Sequence, residues 1–187
     1  PLSKEYLRGE KEEEKVYFKP AEFYQEQEIG LKLGASVSSL DTSNRTVELD
    51  SGESLSFDKL LLATGSRARK LDIPGNRLDG VHYLRTIGSS RRLAGDIEKG
   101  SKVVLVGAGF IGLEVAASCR MKGLEVIILE IEEVPLRHAI GEELGNICAD
   151  IHRDQGVEFR LGEGITEIQG DGRAERVITS SGAELPC

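Results

Sequence analysis

Gly107, Gly109 and Gly112 stand at the spacing G-x-G-x-x-G, directly after the apolar run Val103-Val-Leu-Val106. An apolar-periodic stretch, Ile111, Val115, Ala116 and Cys119, follows at once and reads as a helix. Glycines so placed have separate jobs. Gly107 allows a tight turn out of a strand, Gly109 lets backbone approach a pyrophosphate without an intervening Cβ, and Gly112 lets the new helix pack on the sheet. Phe110 and Ile111, inside the loop, open that helix, whose N-terminus offers free N–H groups and partial positive charge to phosphates. Glu130 ends the next strand-like run, 23 residues after Gly107, where the ribose hydroxyls of a bound dinucleotide belong. A glycine turn serving packing alone is the other reading, and the strand, helix and acid around this one favour the dinucleotide.

Elements must position these residues. Before the loop, a short helix is expected from Pro20 through AEFYQEQEI to Gly30. Strand-like pieces follow at Ala35–Val37, Thr46–Leu49, Leu55–Phe57 and Lys59–Ala63, with Asp50-Ser-Gly52 as a turn. A looser segment carrying Pro74-Gly75 and Asp79-Gly80 leads to Gly100 and reads as a crossing between lobes. After the loop come a strand at Leu124–Glu130, a helix near Ile140–Arg153 and a strand over 156–161. Short strands around Asp171-Gly172 and Ser181-Gly182 close the chain. Strands alternating with helices predict an α/β fold with a parallel sheet: a Rossmann-like three-layer nucleotide-binding domain with a β-meander.

Two stretches resemble each other, one from Gly30 and one from Gly156. Each runs glycine, strand, glycine, strand, polar turn, strand, Ser-Gly. Such a duplication predicts a second glycine loop upstream of Pro1 and a counterpart of Lys59–Ala63 after Cys187. The sequence therefore reads as the middle of something longer. An open sheet edge left by a missing final strand would favour self-association.

Composition excludes several classes. The 187 residues carry a net charge of -8, which argues against nucleic-acid or anionic-membrane partners. The apolar runs are strand-sized, and the first residues show no apolar signal-peptide core. Cys119, Cys148 and Cys187 have no metal-like or C-x-x-C spacing, so no metal is expected and the thiols fit a reducing cytoplasm. His82, His138 and His152 lie at no ligand-like spacing either.

PLSKEYL at the start, LLLATGSRARKLDIPG, GVHYLRT and VVLVGAGFIGLEVAA together resemble the FAD-dependent pyridine nucleotide-disulfide oxidoreductase superfamily. Within it they are similar to the NADH-dependent ferredoxin or rubredoxin reductases. The resemblance implies FAD and NAD as cofactors, hydride transfer from NADH to FAD, and electron delivery to an iron–sulfur ferredoxin or rubredoxin. It implies that residues 1–85 are the middle part of an FAD domain and 86–187 an NAD domain lacking its last strand. By the family pattern the FAD glycine loop, a later FAD segment and an interface domain lie outside the sequence. The isolated chain is then expected to be colourless, to bind NADH weakly and to lack reductase activity.

Residue roles come with the resemblance. Lys4 matches a lysine beside the flavin, and Glu114 its acidic partner near the nicotinamide. Val37, Thr64, Gly65 and Arg85 match FAD-contacting positions, and Arg137 reaches toward the NAD phosphates. Glu130, with no cation among Ile131, Glu132 and Glu133, favours NADH over NADPH. A disulfide, peroxide or oxygen reductase sharing the NADH-to-FAD step is a second reading, although none of the three cysteines fits its redox thiol. A non-catalytic nucleotide-binding module is a third.

Overall fold

Contacts among residues 1–187, all described by a computed structural model, separate into two units. One is Tyr17–Ser66; the other combines Pro1–Val16 with Arg67–Cys187. The domain boundary expected at residue 85 thus falls inside the larger unit. Contacts group the first residues there because Leu7 is buried in that unit's core.

The smaller unit opens with helix α1 (Ala21–Glu26), started by Pro20. An antiparallel meander follows: β1 (Val37–Asp41), β2 (Thr46–Leu49) and β3 (Ser54–Ser56). The Asp41 carboxylate closes the first turn by accepting from the Ser43 and Asn44 backbone N–H groups, both at 2.9 Å. Lys59–Ala63, expected as a strand, forms none. A strand exists through its ladder, and no neighbouring strand pairs with this run, so Leu61 and Leu62 stand exposed.

In the larger unit the looser segment holds an unexpected helix, α2 (Ile87–Ile97). Thr86 and Ser89 form a reciprocal capping box at its start, and Leu93 and Ile97 bury its inner face. Strand β4 (Lys102–Val106) then leads through the glycine loop into α3 (Phe110–Met121) and β5 (Glu125–Glu130). A short α4 (Arg137–Ile140) precedes α5 (Glu142–Asp154) and β6 (Val157–Leu161). The three strands pair in parallel in the order β4-β5-β6.

Alternation on β5 explains the layering. Val126 and Ile128 point into the core shared with Leu93, Leu113, Val115 and Cys119 of the helices. Ile127 and Leu129 point the other way, against a second antiparallel meander. That meander is β7 (Ile165–Gln169), β8 (Arg176–Thr179) and β9 (Glu184–Pro186), joined β7-β8-β9. Helices, parallel sheet and meander make three layers, as the sequence predicts.

The duplication has a structural counterpart. Both meanders carry a register shift in their first strand, between Val37 and Ser39 and between Ile165 and Glu167. Val37 pairs with Leu49, and Ile165 with Thr179, in the matching place. The first pair of positions is 128 residues apart and the second 130. The difference is two extra residues in the β7–β8 turn.

Candidate active site

Gly107 leaves β4 at φ 102°, a conformation open to glycine, and its N–H still donates to the Leu129 carbonyl at 2.8 Å. A Cβ on Gly112 would lie 2.1 Å from the Gly107 carbonyl oxygen, so the helix can approach the turn this closely only with glycine there. Nothing lies within 4 Å of where a Cβ on Gly109 would stand. Gly109 is the N-cap of α3 and supplies no capping side chain. The first-turn N–H groups, which have no partner within the helix, are therefore offered to an anion.

Glu130 faces this loop from the end of β5. Its Oε2 accepts from the Ala108 N–H at 2.6 Å and its Oε1 from the Glu132 N–H at 3.1 Å. Two backbone donors hold the carboxylate in place, and each oxygen keeps a lone pair for a hydroxyl. Phe110 and Ile111, on the first turn of α3, are more than half exposed, at 59% and 54%. They present an apolar surface beside the first-turn N–H groups. A cavity of about 640 Å³ runs from them along β4, walled by Tyr83, Ile165 and Val177.

Arg137 lies on α4 and pairs with Glu142 at 3.5 Å. Its neighbour Leu136, in the left-handed region at φ 56°, donates its N–H to the Ala108 carbonyl at 3.3 Å, which ties this loop to the glycine turn. Gly145 makes room for the connection: a Cβ there would sit 2.3 Å from the Pro135 carbonyl oxygen. The residues of this loop, read from sequence only as a possible route to the phosphates, thus pack against α5 and reach the turn itself.

Lys4 and Glu114, 110 positions apart, form an ion pair of 2.9 Å. Glu114 projects from α3 one turn beyond Phe110. The surrounding contacts escaped the sequence reading. Ser3 Oγ donates to the other Glu114 oxygen at 2.5 Å. Ser118 Oγ donates to the Ser3 carbonyl at 2.7 Å and accepts from Arg8 at 3.2 Å. Lys122 donates to the Arg8 carbonyl at 3.2 Å, and buried Ser90 of α2 to the Leu2 carbonyl at 2.6 Å. Glu114, Ser118 and the C-cap Lys122 stand at i, i+4 and i+8, a polar stripe along one face of α3, and that stripe was the available signal.

These contacts set the electrostatics. The hydrogen bond from Ser3, then that from Lys4, holds the Glu114 carboxyl below its ordinary value. The Glu114 contact raises Lys4 in turn. Both residues are charged near neutrality.

Val37, Thr64 and Gly65 belong to the smaller unit. Val37 is exposed at the start of β1, and Gly65 turns at φ 73° beside exposed Thr64. Arg85, in the larger unit, is exposed, and its N–H donates to Ser89 Oγ at 3.0 Å. No three His, Cys, Asp or Glu side chains converge as metal ligands. No helix is long and apolar enough to cross a membrane. All three cysteines are free, and burial pushes the Cys119 thiol up to about 11.

The pyridine nucleotide-disulphide oxidoreductase family model matches residues 1–187, and the chain belongs to that family. Over 183 residues it is 40% identical to a rhodocoxin reductase from Rhodococcus erythropolis, covering 97% of this chain and 43% of the relative. It is 37% identical to the ferredoxin–NAD(+) reductase component of a biphenyl dioxygenase system from Paraburkholderia xenovorans, covering 99% and 45%. A solved ferredoxin reductase from Rhodopseudomonas palustris superposes with a TM-score of 0.92 at 38% identity, covering 100% of this chain and 46% of that one. The chain spans less than half the length of each of these relatives.

Proposed function

We propose that this member of the pyridine nucleotide-disulphide oxidoreductase family belongs to a flavoprotein reductase that takes hydride from NADH and reduces an iron–sulfur ferredoxin. NADH and FAD, when bound, would supply the redox chemistry: hydride transfer to the flavin, whose two electrons then leave one at a time as the proton is released. The chain's own residues bind and orient. The first turn of α3, opened at Gly109, holds the NAD pyrophosphate, with Gly107 and Gly112 fixing the turn. Glu130 accepts the adenosine ribose hydroxyls, and Arg137 adds positive charge toward the phosphates. Phe110 and Ile111 form the apolar surface along which the nucleotide runs toward Glu114. Lys4 stands beside the flavin and is neutralised by Glu114, since either charge alone is costly in a partly dry site. Val37, Thr64, Gly65 and Arg85 contact FAD.

Residues 1–85 belong, on this reading, to the FAD part and 86–187 to the NAD part, with the Thr86 cap of α2 at the change. The observation that carries the proposal is the Lys4–Glu114 pair, 2.9 Å long, on the very helix that the glycine loop opens. Similarity to reductases named for ferredoxins supports that acceptor, and rubredoxin is the alternative of the same kind. Cys119 is not the redox thiol that a disulfide-reductase reading would need, because it is buried within α3 and its thiol is pushed away from the reactive thiolate.

The test is anaerobic addition of NADH to the flavin-loaded holoenzyme, followed by oxidised ferredoxin. The flavin absorbance near roughly 450 nm should bleach and then return as the ferredoxin is reduced. No bleaching at saturating NADH contradicts the proposal.

A further inference from the structure

Glu114 has three side-chain torsions and is partly exposed, and one contact to a mobile lysine does not hold such a group. Exposed ion pairs contribute little, largely because ordering two long side chains opposes them. Lys4 and Glu114 are 45% and 36% exposed, so the pair falls in that class. Something else must set where the carboxylate points.

We infer that Ser3 is a positioning residue for this pair, its hydroxyl fixing the Glu114 carboxylate so that the opposite oxygen meets Lys4. The inference rests on the proposed role of Lys4 and Glu114 for its functional meaning but on bonds within the larger unit for its geometry. Ser3 Oγ has one proton, and it goes to Glu114 Oε2 at 2.5 Å. Lys4, the next residue, donates to Oε1 at 2.9 Å. Consecutive side chains therefore grip both oxygens of one carboxylate, which fixes its plane as well as its distance.

Ser3 itself is held firmly. Only 7% of it is exposed, and its carbonyl accepts from Ser118 Oγ, whose residue is 1% exposed. The preceding carbonyl, of Leu2, accepts from fully buried Ser90. Two buried hydroxyls from two helices thus clamp two successive carbonyls immediately before Lys4. Leu7 anchors the same turn in the core. The rigidity of the clamp reaches Glu114 through the Ser3 hydroxyl, and the Ser3 bond is the first cause of its lowered carboxyl value.

Titration of the Glu114 side-chain carboxyl carbon by NMR tests this, with the signal assigned by its absence in Glu114→Gln. In Ser3→Ala the midpoint should rise by about half a unit or more, toward that of an ordinary glutamate. Ser3→Thr, which keeps the hydroxyl, should restore it to near the original value. Because Thr also fills the site, its rescue separates loss of the bond from loss of the fold. An unchanged midpoint in Ser3→Ala overturns the inference. The readout involves neither nucleotide nor flavin, so failure of the reductase reading in the bleaching experiment would leave this result standing, and the converse also holds.

Discussion

The Glu130 carboxylate accepts a hydrogen bond of 2.6 Å from the backbone N–H of Ala108, 22 residues earlier and inside the glycine turn. The acid proposed to take the ribose and the loop proposed to take the phosphates are therefore one mechanical piece. Replacing the acid should disturb both ends of the nucleotide's adenosine half.

Nucleotide choice follows from that placement. A 2′-phosphate about 5 Å from Glu130 is repelled by roughly 3 kcal/mol per unit charge at an effective dielectric of ~20. Screening reduces this to a preference on the order of tenfold to a hundredfold for NADH over NADPH. Calorimetric titration with both nucleotides at neutral pH checks this, and equal affinities would remove Glu130 from the role.

Gly112→Ala should destabilise the larger unit by about 2 kcal/mol, because the overlap with the Gly107 carbonyl forces helix and turn apart and outweighs the alanine's helix propensity. The added Cβ would lie 2.1 Å from that oxygen. Gly109→Ala meets nothing within 4 Å and should leave stability nearly unchanged while weakening NADH binding. Denaturant unfolding and nucleotide titration of the two variants separate packing from recognition.

Acid should undo the docking of the first turn on α3. The Glu114 carboxyl is held below its ordinary value, so its contribution is present above the unfolded-state value and lost as pH falls through the folded one. Lys4 is raised, so its share is present below the ordinary lysine value and lost as pH climbs through the raised one. The difference in melting temperature between the protein and Glu114→Gln should be flat from about pH 6 to 9 and shrink as pH falls below the ordinary glutamate value. A difference that persists in acid would show that the pair adds nothing as an ion pair.

Cys119 should resist alkylation in the native protein. It is fully buried and its thiol is pushed up to about 11, so almost no thiolate forms at neutral pH. Mass mapping after iodoacetamide should find exposed Cys187 labelled and Cys119 labelled only in denaturant.

The parts of the fold legible in sequence are those carried by local pattern. The strand-like run Leu124–Glu130, the glycine turn and the Asp171-Gly172 turn announce the three layers. Helix α2 was hidden because its capping box uses Ser89 where the usual signature has Glu or Gln, and Gly88 and Gly95 lower its propensity. Lys59–Ala63 has strand composition, yet a strand is defined by a partner that composition does not supply. At the site, the glycines and Glu130 were readable from spacing, and Lys4 with Glu114 only through the family resemblance. Ser3, Ser90 and Ser118 were not read at all. Their bonds join residues 88 to 115 positions apart, and only Ser118 stood in a periodic pattern, the stripe it forms with Glu114 and Lys122.

The most direct test of the account is stopped-flow reduction of the flavin-loaded holoenzyme across a range of NADH concentrations, for Glu114→Ala and Glu130→Ala side by side. Glu114→Ala should lower the limiting reduction rate on the order of tenfold with little change in half-saturation. Glu130→Ala should raise half-saturation by a similar factor and leave the limiting rate nearly intact. A limiting rate unchanged in Glu114→Ala would contradict the claim that the Lys4–Glu114 pair stands where hydride is transferred.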